Sequence, residues 1–170
     1  MKAQTKNVAA GVVGNILEWY DFAIYGYMVP VLSVLFFPSD NPVVSIIAAF
    51  SAFAAGFFAR PLGGVIFGWI GDKRGRKVVL TISVTLMGLA TVSIGFLPTY
   101  SQIGLAAPIL LVLLRVLQGL SVGGEYTGSI TFVLEHAPKE KRGWLTSWIS
   151  VGGGLGFLIG SGVGAILTAS

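Results

Sequence analysis

Five apolar runs, each long enough to cross lipid and parted only by short breaks, constrain this chain more than any other feature. They cover residues 8–37, 43–71, 78–97, 103–134 and 143–168 of 170. A spanning helix needs about 20 mostly apolar residues, because a bilayer core is about 30 Å thick and a helix rises ~1.5 Å per residue. Several runs exceed that length, which implies tilt or extension beyond the lipid. The expected fold class is an all-α membrane protein with five transmembrane helices.

The balance of residues agrees. The chain is 54% hydrophobic and 11% charged, against about 25% charged in soluble domains, and its mean hydropathy is +0.83. Its 24 glycines suit membrane helices, where glycine is more frequent than in soluble ones. The first run is no secretory signal, because it is long, carries Glu18 and Asp21, and lacks a small-residue cleavage site. No interior linker divides the chain. Cysteine is absent, so no disulfide framework or thiolate metal site is expected. The sole histidine, His136, falls in a turn without metal partners nearby. No metal, no cofactor and no enzymatic activity are expected. The glycine-rich stretch lacks the Lys-Ser/Thr of a phosphate loop.

The net charge of +4 points to membrane topology rather than to a nucleic-acid partner, because of where the charges lie. Lys2 and Lys6 precede the first run. Lys73, Arg74, Arg76 and Lys77 follow the second, and Lys139, Lys141 and Arg142 follow the fourth. The breaks after the first and third runs, 38–42 and 98–102, hold no Lys or Arg. By the positive-inside rule the N-terminus is expected in the cytoplasm and the end of the fifth helix outside.

Five ionisable residues fall inside the runs: Glu18, Asp21, Arg60, Arg115 and Glu125. Such residues are costly in lipid and mark pathways or relays. Counted from the cytoplasmic helix ends, Asp21, Arg60 and Glu125 reach roughly 14–20 Å, near one level at the midplane, with Arg115 further out. Glu18 and Asp21, three apart, lie on nearby sides of the first helix. Arg115, Gln118 and Glu125 share one face of the fourth. These stripes are expected to face a bundle interior or a water-filled cavity. The plain reading is a set of salt bridges that fixes packing. Three carboxylates against two guanidiniums leave one carboxylate over, and a midplane carboxylate that can gain and lose a proton is what proton coupling requires.

Glycine stripes add a packing signal. Gly152, Gly156, Gly160 and Gly164 recur every four residues in the last run, and Ala48, Ala52, Gly56, Gly64 and Gly68 follow the same spacing in the second. Small residues at this spacing let helix backbones approach closely. Static tight packing accounts for most of them; smooth faces that let bundles rock are the sharper reading.

The sharpest motif is Gly68-Trp69-Ile70-Gly71-Asp72-Lys73-Arg74-Gly75-Arg76-Lys77. It resembles the signature between helices two and three of the major facilitator superfamily. Arg115-Val116-Leu117-Gln118-Gly119 resembles that superfamily's helix-four motif. Asn15-Ile16-Leu17-Glu18-Trp19-Tyr20-Asp21-Phe22, Ala59-Arg60-Pro61-Leu62-Gly63-Gly64 and Gly123-Gly124-Glu125-Tyr126 look like its metabolite:proton symporter subfamily. So do Glu135-His136-Ala137-Pro138 and Lys141-Arg142-Gly143.

The resemblance implies two six-helix halves around a central cavity in a bacterial inner (plasma) membrane, with alternating access. It makes this chain five helices of the N-terminal six-helix bundle, with a sixth helix and a C-terminal half as missing partners. It implies proton-driven uptake of a small organic acid or zwitterion, the small-molecule substrate and protons being the partners within the lipid bilayer. Arg60, Arg115, Gln118 and Tyr25 are then expected to bind substrate, and Glu18, Asp21 and Glu125 to carry the proton. Gly68, Asp72, Gly75, Arg76, Lys77, Glu135 and Arg142 are expected to gate. The last helix lacks the proline that marks drug antiporters, which favours symport. The alternative is a truncated, non-transporting membrane protein or interaction partner, and the 170 residues alone are expected not to transport.

Overall fold

The computed structural model describes residues 2–169, with the side chains of residues 2–8, 10, 126, 127, 136 and 169 outside the described residues. The side chains of Lys2, Lys6, Tyr126 and His136, which the sequence reading used, fall among the latter. Helices α1 (Lys2–Phe36), α2 (Pro42–Arg74), α3 (Arg76–Gly95), α4 (Tyr100–Ile103), α5 (Ala106–His136) and α6 (Arg142–Ala169) follow in order, with a 3₁₀ turn at Lys139–Lys141. There is no strand among the described residues. Five of the helices, all but α4, are long and apolar enough to cross a membrane. Their outer faces carry large apolar side chains in the open, Phe58 and Phe96 being more than four-fifths exposed. That pattern suits lipid as the surrounding solvent.

Backbone breakers, and not the ends of the apolar runs, set the helix limits. The second run was expected to stop at residue 71, yet α2 continues through Asp72, Lys73 and Arg74 to Gly75 at φ +91°. A side chain there would be strained, so glycine suits the corner. The fourth run was expected from residue 103, and this is corrected. Ile103 closes the short α4, Gly104 at φ +61° ends it, and its N–H donates to the Tyr100 carbonyl. The Gln102 side chain accepts from the Thr99 amide at 3.0 Å, which starts α4 inside a stretch read as a plain turn. Likewise α5 runs on to His136 and stops before Pro138, because a residue preceding proline avoids helical geometry. At the start of α2, Asn41 caps by accepting from Val43 N at 3.0 Å, with Pro42 as the first helical residue.

The helices pack in two tight pairs, α1 with α6 and α2 with α5, while α3 closes on α5. Both pairs are backbone against backbone. A Cβ added at Gly156 would overlap the Ile16 carbonyl, and one at Gly152 or Gly160 would crowd Val12 or Tyr20. Between α2 and α5, a Cβ at Gly119 would overlap the Gly56 carbonyl, and one at Gly63 that of Leu120. The α2 stripe expected from the sequence is therefore redrawn. Its buried line runs Ala52, Gly56, Ala59, Gly63 and Phe67, while Gly68 has open space around it. A strict four-residue step advances ~400° and drifts off any one face, so the contact line interrupts its steps of four with one of three, from Gly56 to Ala59.

Candidate functional site: two buried charge clusters

The tight pairs bring the charged stripes of α1, α2 and α5 inward. Glu18, Asp21, Arg115, Gln118 and Glu125 are all buried, each less than a tenth exposed, and Arg60 is partly so. Two clusters result.

The first is internally paired. Arg115 Nη1 donates to Asp21 Oδ2 at 2.8 Å. Gln118 Nε2 reaches the same oxygen at 3.3 Å and Thr91 Oγ1 at 2.7 Å, and Thr91 donates to Asp21 Oδ1 at 3.3 Å. The guanidinium of Arg115 lies over the Tyr25 ring, 3.7 Å from its centroid. Tyr25 is held in turn by its hydroxyl, which donates to the Ala49 carbonyl at 3.1 Å, and by stacking on Phe53. This network joins α1, α2, α3 and α5. Arg115 keeps its Nε without a hydrogen-bond partner among the described residues.

The second cluster is open. Glu18 and Arg60 line a cavity of about 640 Å³ together with Trp19, Phe57, Pro61 and Val122. The Arg60 guanidinium caps the Phe22 and Phe57 rings from one side, 4.1 Å from each centroid, while the two rings touch each other with centroids 5.0 Å apart. Cation–π contact of this kind holds the charge without consuming its N–H donors. Its Nε and Nη2, and Glu18 Oε2, are buried without hydrogen-bond partners among the described residues. Glu18 lies in the electrostatic range of both Arg60 and Glu125. A planar guanidinium with free donors, beside a free carboxylate oxygen, is suited to a ligand that carries both charges.

Glu125 stands apart from the first cluster. It reaches α1 at Gly14, where a Cβ would overlap its Oε1. Its Oε2 has no hydrogen-bond partner among the described residues, and it faces a second cavity of about 660 Å³ between α1, α3 and α5.

The expected gate residues gather at the basic end of the bundle. Arg76 Nη2 donates to Asp72 Oδ1 at 2.7 Å, and its Nε lies 3.9 Å from Glu135 Oε1. Lys77 is exposed. Arg142 Nε donates to the Ala137 carbonyl at 3.3 Å and is not drawn into the Asp72–Arg76–Glu135 group. Thr91, Phe57 and Gly14 are absent from the sequence-derived site, and Trp19 and Phe22 enter it only within a motif, without a role. Gly14 and Glu18 are one helical turn apart, which was a usable signal; Thr91 sits in a run without charges and gave none.

The sequence matches a protein family over residues 7–170, under the description sugar (and other) transporter. It is 46% identical over 163 residues to the glycine betaine/proline/ectoine/pipecolic acid transporter of Dickeya dadantii, covering 96% of this chain and 32% of that protein. It is 45% and 44% identical, again over 163 residues and 96% of the chain, to the proline/betaine transporters of Salmonella typhimurium and Escherichia coli K12. In both cases 33% of the relative is covered. The chain thus spans about a third of the length of these curated relatives. No solved structure matches it. With the family match running almost end to end and five membrane-length helices carrying its motifs, the chain belongs to the sugar (and other) transporter family of the major facilitator superfamily.

Proposed function

We propose that this chain supplies substrate- and proton-handling residues to a secondary active transporter that imports a small zwitterionic metabolite with protons. The observation that carries the reading is the buried Asp21–Arg115 pair at 2.8 Å. A carboxylate that neutralises a guanidinium competes with a substrate carboxylate for the same donors. When Asp21 takes a proton, its hold on Arg115 weakens, and the guanidinium becomes available to the substrate. Proton binding and carboxylate binding then favour each other, which is the linkage that symport needs.

Arg60 serves as a second carboxylate donor, and Glu18 with the ring of Trp19 faces a cationic nitrogen. Substrates in the printed names of the relatives, proline and glycine betaine, carry both charges and support this assignment. Tyr25 and Gln118 act by positioning: the first stacks on Arg115, the second braces Asp21. The basic turn from Gly68 to Lys77, with Glu135 and Arg142, gates on the cytoplasmic side, where the N-terminus also lies. The excess of Lys and Arg at that end supports this orientation. Alternating access by two bundles around the midplane site would complete the cycle.

The test uses the full-length protein in proteoliposomes with an inward proton gradient. Proline, glycine betaine and a dicarboxylic acid are offered in turn. Accumulation of a zwitterion that a protonophore abolishes supports the reading. Accumulation indifferent to the protonophore overturns proton coupling, and accumulation of the dicarboxylate alone overturns the substrate class.

A further inference from the structure

Three carboxylates on two helices descend in order toward the basic end of the bundle. Asp21 sits deepest along α1, Glu18 lies one turn below it, and Glu125 touches α1 one further turn down, at Gly14. Gly14 is four residues from Glu18, about 6 Å along the helix. The absence of a side chain at Gly14 lets the Glu125 carboxyl rest against the α1 backbone.

Glu18 and Glu125 open onto different spaces. Glu18 faces the cavity it shares with Arg60 and Trp19. Glu125, 3% exposed and with Oε2 unpartnered among the described residues, faces the crevice between α1, α3 and α5. That crevice is apolar except along one line. Lys77, Thr81 and Thr85 recur every four residues on α3, and all three line it. Thr81 donates to the Lys77 carbonyl at 3.0 Å and Thr85 to the Thr81 carbonyl at 2.7 Å. Each hydroxyl therefore keeps its acceptor lone pairs for water. The line leads from a basic rim to the level of a buried carboxyl.

We propose that Asp21, Glu18 and Glu125 act in series, and that the proton leaves through the α1–α3–α5 crevice and not through the cavity that holds the substrate. The proton passes from the Asp21 carboxyl to the Glu18 carboxylate, then to Glu125, and from Glu125 to water beside Thr85. In the first two transfers the donor takes the negative charge that the acceptor loses; in the last, Glu125 keeps the negative charge and the proton leaves as hydronium. Arg60 on α2 lies in the electrostatic range of Glu18, and Lys77 on α3 stands at the rim. Release toward Lys77 sends a proton past a cation, so the final step goes to neutral water and not to a fixed acceptor. Separate routes explain why the chain carries three buried carboxylates when binding one substrate needs fewer.

This inference rests on the proton-coupled reading above, and its test keeps the two apart. In the full-length protein, Glu125→Gln removes the last acceptor of the series. Proton-driven accumulation of proline or glycine betaine is expected to fall by about a hundredfold, the low end for losing a positioned proton-transfer group. Exchange of internal for external substrate, which moves no net proton and needs no deprotonation step, is expected to fall far less than accumulation does. A second variant, Thr81→Leu with Thr85→Leu, fills the crevice and leaves every carboxylate in place; it is expected to slow accumulation more than exchange. Equal loss of exchange and accumulation in Glu125→Gln makes Glu125 a structural residue and overturns the series. Parental accumulation in both variants overturns it too. Accumulation that follows sodium in place of protons in the parent overturns the coupling reading itself. If the parent is proton-driven and the variants are unaffected, only the exit route fails.

Discussion

Arg115 on α5 donates to Asp21 on α1 across 2.8 Å, a contact between residues 94 positions apart. Both are buried, so each is the other's main charge compensation. Removing one partner from a buried pair costs about 3–5 kcal/mol, because the survivor stays desolvated. Asp21→Asn and Arg115→Gln are each expected to lower the thermal stability of the detergent-solubilised full-length protein. The double variant is expected to lose less than the sum of the singles. Strict additivity in such a cycle would show that the pair contributes nothing to the fold.

Arg115→Lys tests the guanidinium separately from its charge. Lysine keeps the positive charge beside Asp21 but lacks the planar fork, and it stacks less well on the Tyr25 ring. Uptake by the full-length protein is expected to weaken, chiefly through a raised apparent KM, while membrane insertion stays intact. Uptake at the parental rate and apparent affinity would remove Arg115 from the binding site.

Asp72→Asn addresses the basic end. The Asp72–Arg76 hydrogen bond is largely exposed, and pairs of this kind contribute only about 0–1 kcal/mol. Thermal stability is therefore expected to stay near the parental value. Turnover is expected to slow more than equilibrium substrate binding weakens. A parallel loss of binding and transport would take the gating role from this turn.

The spans and the inward stripes were readable because lipid leaves no other place for Glu18, Asp21 or Arg115. What the sequence hid depends on azimuth and on chain breaks. Periodicity alone put Gly68 in a packing stripe with Gly56, whereas Gly63 makes the close approach to α5. The split of five charges into a closed and an open cluster also needed coordinates. Asp21 and Glu18 are only three residues apart, yet one is saturated by Arg115, Gln118 and Thr91 while the other keeps a free oxygen. The α4 turn was obscured by reading Pro98–Gln102 as loop, although Thr99 and Gln102 carry the spacing of a helix start.

Gly156→Leu is expected to destabilise the protein by about 1–3 kcal/mol, the usual cost of overpacking, because its new side chain would drive into the Ile16 backbone. Gly154→Leu, two residues away in open space, is expected to shift stability by less than about 0.5 kcal/mol. Thermal unfolding of both variants checks the contrast, and equal effects would remove the α1–α6 seam as its cause.

That seam has a further consequence. Past Arg142, α6 bears no charged residue, yet its glycines set how closely and at what rotation α1 lies against the rest of the bundle. One extra methyl group at Gly152 or Gly160 would push against the α1 backbone at Val12 or Tyr20 and so displace the α1 carboxylates without altering any ionisable group. Variation along this uncharged helix therefore reaches the buried carboxylates of α1 through packing alone, and a comparison restricted to charged positions would overlook it.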